Sequence, residues 1–183
     1  MRTPFFHFAL LCSLLALTAA VTFAADAAKV SLSAKNMTSR LDGKERVNTF
    51  TEAKMTQGEA VFTAGTMVSR GEKGMEALTG TGAPRFVDPV CTGTADTVVV
   101  NTKTQVAQFS GHAQLLFTMK SGEDKVPMIF TAEKASYDYG KRQALFSDGA
   151  TLTLEGVTIT FTGPITYDRN AGTIVEAKGE PAK

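Results

Sequence analysis

The sequence predicts an all-β protein. Apolar and polar residues alternate with a period of two, most clearly in 113–117, 128–132 and 157–161, as they do in half-buried strands. No long amphipathic helix is evident after residue 30. Turn signals separate the alternating runs at Asp42-Gly43, Ser121-Gly122, Asp148-Gly149 and Arg169-Asn170-Ala171-Gly172.

The N-terminus has the pattern of a secretory signal. Arg2 precedes an almost uninterrupted apolar run from Phe5 to Ala20, which small residues follow. We therefore predict that residues 1–25 are a signal peptide, which is removed, and that residues 26–183 form one exported domain. The alternative is an uncleaved membrane anchor, for which the apolar run is slightly short.

Charge and the content of cysteine and histidine exclude several classes of function. The formal net charge is +1 and falls to zero without Arg2, unlike the basic surface of nucleic-acid-binding proteins. Residues 26–183 keep one cysteine, Cys91, and one histidine, His112, too few for an internal disulfide or a typical zinc site. We expect no metal and no cofactor, a buried Cys91, and a solvent-exposed His112 in a turn after Gly111.

A short motif recurs along the chain and indicates a repeated structural unit. Its copies are Ser33-Ala34, Thr63-Ala64, Thr94-Ala95, Thr131-Ala132 and Thr162-Gly163. The spacings between the second residues of successive copies are 30, 31, 37 and 31. We predict that each unit is a pair of antiparallel strands, which buries its apolar face only by stacking on its neighbours.

The third and fourth units align at a constant offset of 37 residues, so that Cys91 matches Met128 and Val100 matches Tyr137. The extra length in this interval is the polar stretch 120–125, predicted as a longer loop. In the first unit, a strand is predicted over Val30 to Thr38, and Thr49 is assigned the same phase as Met55.

The phase of the alternation assigns one apolar face to the whole sheet. A sheet with a single apolar face must curl or fold over on itself to bury that face. The candidate binding residues share this phase and are Phe62, Met67, Val98, Val100, Phe109, Leu115, Phe117, Met128, Phe130, Tyr137, Phe146, Leu152, Ile159 and Phe161.

Three stretches carry a resemblance to a known family. They are Asn48-Thr49-Phe50-Thr51 leading to Met55-Thr56-Gln57-Gly58, then Thr79-Gly80-Thr81-Gly82-Ala83-Pro84-Arg85-Phe86, and finally Phe109-Ser110-Gly111-His112-Ala113-Gln114-Leu115 with Tyr137-Asp138 and Tyr167-Asp168. Their order and spacing, together with the export signal, resemble the OstA-like family of periplasmic lipopolysaccharide-transport proteins.

The resemblance implies both a fold and a function. The fold would be a V-shaped, incomplete β-jelly roll of repeated antiparallel strand pairs, whose interior holds the acyl chains of lipopolysaccharide in the periplasm. The protein would have no enzymatic activity. Its sheet edges would pair head to tail with further copies, and with LptC-like and LptD-like partners, bridging the inner and outer membranes.

Three alternatives stay open at this point. One is an LptC-like lipopolysaccharide-transfer subunit that keeps its N-terminal anchor. Another is a carbohydrate-active jelly-roll enzyme, for which Asp96, Glu133 and Asp138 are candidate acids. The third is an envelope scaffold with a filled core and no lipid.

Overall fold

The computed structural model describes residues 29–70, 76–121 and 124–176, and the predicted signal peptide lies outside these ranges. All regular elements within them are strands, which confirms the all-β class. The strands are β1 Val30–Ser33, β2 Asn36–Asp42, β3 Glu45–Gln57, β4 Ala60–Arg70, β5 Ala77–Thr81, β6 Arg85–Val87, β7 Cys91–Thr94, β8 Thr97–Asn101, β9 Val106–Ser121, β10 Asp124–Asp138, β11 Gln143–Phe146, β12 Ala150–Leu154, β13 Val157–Phe161, β14 Ile165–Asp168 and β15 Thr173–Glu176.

One antiparallel sheet folds over on itself to form two walls. The long strands β3, β4, β9 and β10 run through both walls. The first wall also contains β2, β5, β8, β11, β14 and β15, and the second contains β1, β6, β7, β12 and β13. Because the walls share four continuous strands, the apolar face of the sheet closes on its own continuation. This architecture confirms the predicted jelly roll of repeated antiparallel strand pairs.

The long strands bend along one line, here called the corner. In β3, Glu52 adopts a left-handed backbone conformation with φ 47°. In β9, Gly111 and His112 also have positive φ angles of 75° and 50°, and together they lie opposite the single residue Glu133 of β10. Two residues opposite one form a β-bulge, which bends a strand without ending it.

The repeated sequence motif marks the corner. Two of its copies, Thr63-Ala64 and Thr131-Ala132, lie immediately before the bends in β4 and β10. The other three copies lie where β1, β7 and β13 end.

The register of the sheet confirms the offset of 37 residues. Cys91 and Met128 both pair with Phe117, one from each neighbouring strand. Val100 and Tyr137 likewise both pair with Ala107. Residues that match in the repeat therefore lie in the same row across the sheet.

Two predictions from local sequence were wrong about where strands continue. The predicted first strand is divided at Ala34-Lys35, where β1 ends in the second wall and β2 begins in the first. Within the stretch 120–125, the residues that the structure describes belong to strands and not to a loop, because β9 and β10 remain paired out to Ser121 and Asp124. The extra length of this interval thus extends a hairpin.

The predicted phase of the first unit was also wrong on one side of the corner. The left-handed Glu52 has no partner in the ladder between β3 and β4, where Thr51 pairs with Thr66 and Ala53 with Ala64. The alternation therefore shifts, and Phe50 faces the interior, where it is buried.

Glycines opposite aromatic rings allow the two walls to meet. A Cβ atom at Gly80 would overlap the ring of Phe62 from the other wall. A Cβ atom at Gly93 would overlap the ring of Phe109, also from the other wall, and would lie 2.7 Å from Leu115 Cδ2. Both rings are fully buried, so neither can move aside without disturbing the core.

We predict that Gly93→Ala lowers the free energy of unfolding by about 1–3 kcal/mol, because the added methyl group overpacks the contact with Phe109. Urea unfolding followed by circular dichroism measures this change. Gly163→Ala is the control, since a Cβ atom there meets only the side chain of Glu176, at 3.3 Å. Equal effects of the two substitutions would contradict the close contact between the walls.

Candidate functional site

Most of the candidate binding residues lie between the two walls. Twelve of the fourteen are buried, namely Phe62, Met67, Val98, Val100, Phe109, Leu115, Phe117, Met128, Phe130, Tyr137, Phe146 and Leu152. Ile159 and Phe161 belong to the terminal strand β13, where Ile159 is 46% exposed. The candidate residues therefore share one face of the sheet, as predicted, but the opposite wall covers that face less well at β13 than elsewhere.

Aromatic rings from the two walls touch in the middle of the molecule. Phe117 of the second wall lies 4.9 Å from Tyr167 of the first, measured between ring centroids. Phe130 and Phe146 stack across the walls at 4.8 Å. The two walls are therefore closed on one another in the middle of the interior face.

At the N-terminal end of the sheet the interior face is uncovered. Every residue of β2 is exposed, including Met37 at 59% and Leu41 at 75%. Met37 pairs with the buried Phe50 and so shares the interior face. A cavity of about 370 Å³ opens here between the walls, and its lining includes Leu32, Met37 and Phe50.

The C-terminal end of the sheet is open in the same way. Val157 and Ile159 of β13 are 61% and 46% exposed. Ile159 pairs with the buried Leu152, which places it on the interior face. An apolar face that is closed in the middle is thus open at both ends of the sheet.

The open N-terminal end of the sheet was not predicted from the sequence. Met37 and Leu41 were not among the candidates, although their separation of four residues places both on one face of a strand. Their exposure depends on which strands of the opposite wall lie above them. The sequence of β2 alone contains no signal for that.

Cys91 has the buried position predicted for it. Burial raises the pKa of its thiol well above the ordinary value, and the carboxylate of Asp88 raises it further. The thiol therefore stays protonated near neutral pH. This favours a packing role over a reactive one.

His112 is exposed as predicted, but it does not lie in a turn. It lies within the continuous strand β9, in the bulge at the corner. Its Nδ1 atom is 2.9 Å from Oδ2 of Asp96, and its side chain is 87% exposed. The sequence Gly111-His112 was taken for a turn because a strand bulge and a turn use similar residues.

The other candidate acids have solvated or structural positions. Glu133 is exposed on β10 at the corner. Asp138 accepts a hydrogen bond from the backbone N–H of Lys141 and so stabilises the turn after β10. Across residues 29–70, 76–121 and 124–176, no three His, Cys, Asp or Glu side chains are placed to hold one metal ion. The same ranges contain no helix with the length and hydropathy needed to span a membrane.

We predict that His112 titrates above the ordinary histidine pKa of about 6.5, first because of its hydrogen bond with Asp96 and then because of the charge of Asp96. The interaction thus stabilises the folded protein below the unfolded pKa and is lost as pH rises through the folded pKa. His112 is the only histidine in residues 26–183, so its imidazole NMR signals can be assigned directly.

Two substitutions test the cause of this shift. Asp96→Asn should return the midpoint most of the way to the ordinary value. Glu133→Gln should lower the midpoint less, because Glu133 acts only through its charge. A midpoint unchanged by Asp96→Asn would contradict the observed pair.

Comparisons with known proteins found little. No family model matches the chain, and no curated protein matches it. Among solved structures, the chain is similar to LptH, the LptA homologous periplasmic component of the lipopolysaccharide transport device from Pseudomonas aeruginosa. That similarity has a TM-score of 0.34 and 18% sequence identity, over 83% of this chain and 84% of that chain. The fold described above therefore rests on the strand pairing of this chain alone.

Proposed function

We propose that this protein is an LptA-like, non-enzymatic carrier of lipopolysaccharide in the periplasm. It shields acyl chains against the apolar face of its folded sheet. Through its sheet edges it bridges LptC-like components of the inner membrane and LptD-like components of the outer membrane. The fourteen candidate residues, with Met37 and Leu41 added, form the lipid-binding face.

The observation that carries this proposal is the apolar interior face that is open at both ends of the sheet. Among the described residues, the exposed large hydrophobic side chains are Met37, Leu41, Leu145, Val157, Ile159 and Val175. Four of these, Met37, Leu41, Val157 and Ile159, lie on the interior face of the terminal strands β2 and β13, whereas Leu145 and Val175 lie on the opposite face. Exposed apolar surface concentrated in this way is typical of binding sites rather than of ordinary protein surface.

The chemistry of an acyl chain fits such a face. Burying one methylene group is worth about 0.8 kcal/mol, so a chain of about 12–14 carbons is worth about 10 kcal/mol. Water therefore opposes the free passage of a lipid with several chains. A face that remains apolar from one end of the sheet to the other can shield those chains.

The sheet edges fit the proposed bridge. In the second wall, the edge strands β1 and β13 contain no charged residue. In the first wall, β2 contains Arg40 and Asp42, and β15 contains Glu176. Unpaired edges that lack blocking charges are able to add a further strand. Pairing between the two different ends would continue the interior face into the next molecule.

We predict that photo-crosslinking residues on the interior face capture lipopolysaccharide in the bacterial envelope. The interior-face positions to be substituted are Met37, Phe117, Phe130, Tyr137 and Ile159. Thr38 and Thr160 are matched controls, because each is an exposed neighbour on the opposite face of the same strand. Lys141, in the turn after β10, is a third control.

The expected result is capture at the interior positions and none at the controls, read by immunoblotting for lipopolysaccharide. Equal capture at Ile159 and Thr160, and at Met37 and Thr38, would mean that the lipid does not distinguish the two faces. The proposed function would then be wrong.

We predict that residues 26–183 associate head to tail as concentration rises. Light scattering over a concentration series should give an increasing average mass, because contacts between two different ends do not close on themselves. Truncation after Gly172 removes β15 and should reduce this association. Circular dichroism must first establish that the truncated protein is folded. A full-length protein that stays monomeric at every concentration would favour a soluble shuttle over a bridge.

A further inference from the structure

The two walls are joined differently on their two sides. At the corner, the four long strands connect them through continuous main chain. On the opposite side, each wall ends in its own hairpin turns, which include 58–59 and 88–90 in the second wall and 102–105, 139–142 and 169–172 in the first. This side is called the seam. Side chains, and not strands, hold the walls together there.

The first seam contact centres on Gln57 of the second wall, which is buried. Its Nε2 atom donates a hydrogen bond of 2.8 Å to the backbone carbonyl of Thr102 in the first wall. The hydroxyl of Tyr139, also from the first wall, donates one of 2.6 Å to Oε1 of Gln57. Both polar atoms of the Gln57 amide are therefore used to join the walls.

The second contact joins Tyr137 and Asp88. The hydroxyl of Tyr137 in the first wall donates a hydrogen bond of 2.7 Å to Oδ2 of Asp88 in the second. The other carboxylate oxygen of Asp88 accepts from the backbone N–H groups of Val90 and Cys91. The turn at 88–90 is thus capped independently of Tyr137.

Further contacts extend along the seam. The ring of Phe86 from the second wall lies against Tyr137 and Tyr139, with centroid distances of 6.1 and 5.2 Å. A separate bond joins Nη2 of Arg169, in the first wall, to the backbone carbonyl of Thr118, at 2.8 Å. The seam therefore has polar bridges at its rim and packed rings beneath them.

We propose that the seam opens to admit acyl chains, with the corner as the hinge and the hydroxyls of Tyr137 and Tyr139 as a latch. This inference rests on the proposed function for its ligand. It identifies the side from which the chains enter and the side chains that control their uptake.

Two features of the structure support this assignment. The filled contact between the walls leaves no passage for a chain in the middle of the closed molecule, so the walls must part there. They can part at the seam by breaking side-chain hydrogen bonds and separating packed rings, whereas parting at the corner would break four strands. The left-handed residues Glu52, Gly111 and His112 already bend the main chain at the hinge.

The two tyrosine hydroxyls of the latch remain protonated at neutral pH and so can donate their hydrogen bonds. Burial, and then the hydrogen bond with Asp88, raises the pKa of Tyr137 far above its ordinary value. Burial and the nearby charge of Asp138 raise the pKa of Tyr139 to about 12. Both hydroxyls therefore keep their protons at neutral pH.

Hydrogen exchange tests the opening without any lipid. In the double variant Tyr137→Phe/Tyr139→Phe, only the two latch hydroxyls are lost. The side-chain amide protons of Gln57, which bond to the Thr102 carbonyl across the seam, should exchange about tenfold faster by NMR, because each lost hydrogen bond contributes modestly to closure. Peptides covering the corner should be unchanged. Tyr167→Phe is the matched control, since its buried hydroxyl has no hydrogen-bond partner among the described residues.

Uptake of fluorescently labelled lipopolysaccharide by residues 26–183, followed by stopped flow, tests the role of the opening. The double variant should take up lipid faster than the wild type. Seam exchange no faster than in Tyr167→Phe would overturn the latch. Faster exchange with an unchanged uptake rate would overturn the seam as the route.

A third outcome separates this inference from the proposed function. If neither the wild type nor the variant binds lipid at equilibrium, the proposed function fails, and the uptake route fails with it. The exchange measurement would still decide whether the seam opens.

Discussion

The structure depends on keeping one face of the sheet apolar while the strands turn a corner. Side chains alternate along a strand, so a shift of one residue would turn a whole wall inside out. In β3 the successive interior residues Phe50 and Ala53 are three residues apart, whereas a regular strand would place them two apart. The left-handed Glu52 is the extra residue, and it is left out of the pairing with β4. The bulge at Gly111-His112 does the same for β9. These local distortions allow both walls to direct apolar side chains to the same interior.

The closed middle and the open ends follow from how the walls meet. Gly80 and Gly93 leave room for rings from the opposite wall, which brings the walls into contact there. At the two ends of the sheet, the interior-face side chains of β2 and β13 are not covered by the opposite wall, so they are exposed. Packing thus holds the two walls together in the middle while leaving apolar surface available at each end.

The alignment of repeated strand pairs could be predicted from the sequence, whereas the shift in alternation at the corner could not. The 37-residue offset correctly predicted that Cys91 and Met128 lie in the same row across the sheet. It succeeded because each repeated strand pair has the same alternation of side chains and the same pairing register. Phe50 was missed because Glu52 is an unusual residue for a left-handed conformation, and nothing in its neighbourhood signals the shift. The exposure of Met37 could not be predicted, since it depends on the placement of a distant wall.

The two ends of the sheet have two features that proteins ordinarily avoid. Uncharged edges invite additional strands, and exposed interior side chains invite other apolar surfaces. At the C-terminal end β13 has both features, whereas at the N-terminal end β1 has the uncharged edge and β2, in the other wall, has the exposed interior side chains. A neighbour that paired with an edge strand would also cover the exposed interior side chains beside it. Because the two ends differ, such pairing gives an open, directional chain of molecules. An apolar face continued through that chain is what a lipid with several acyl chains needs in order to cross an aqueous space.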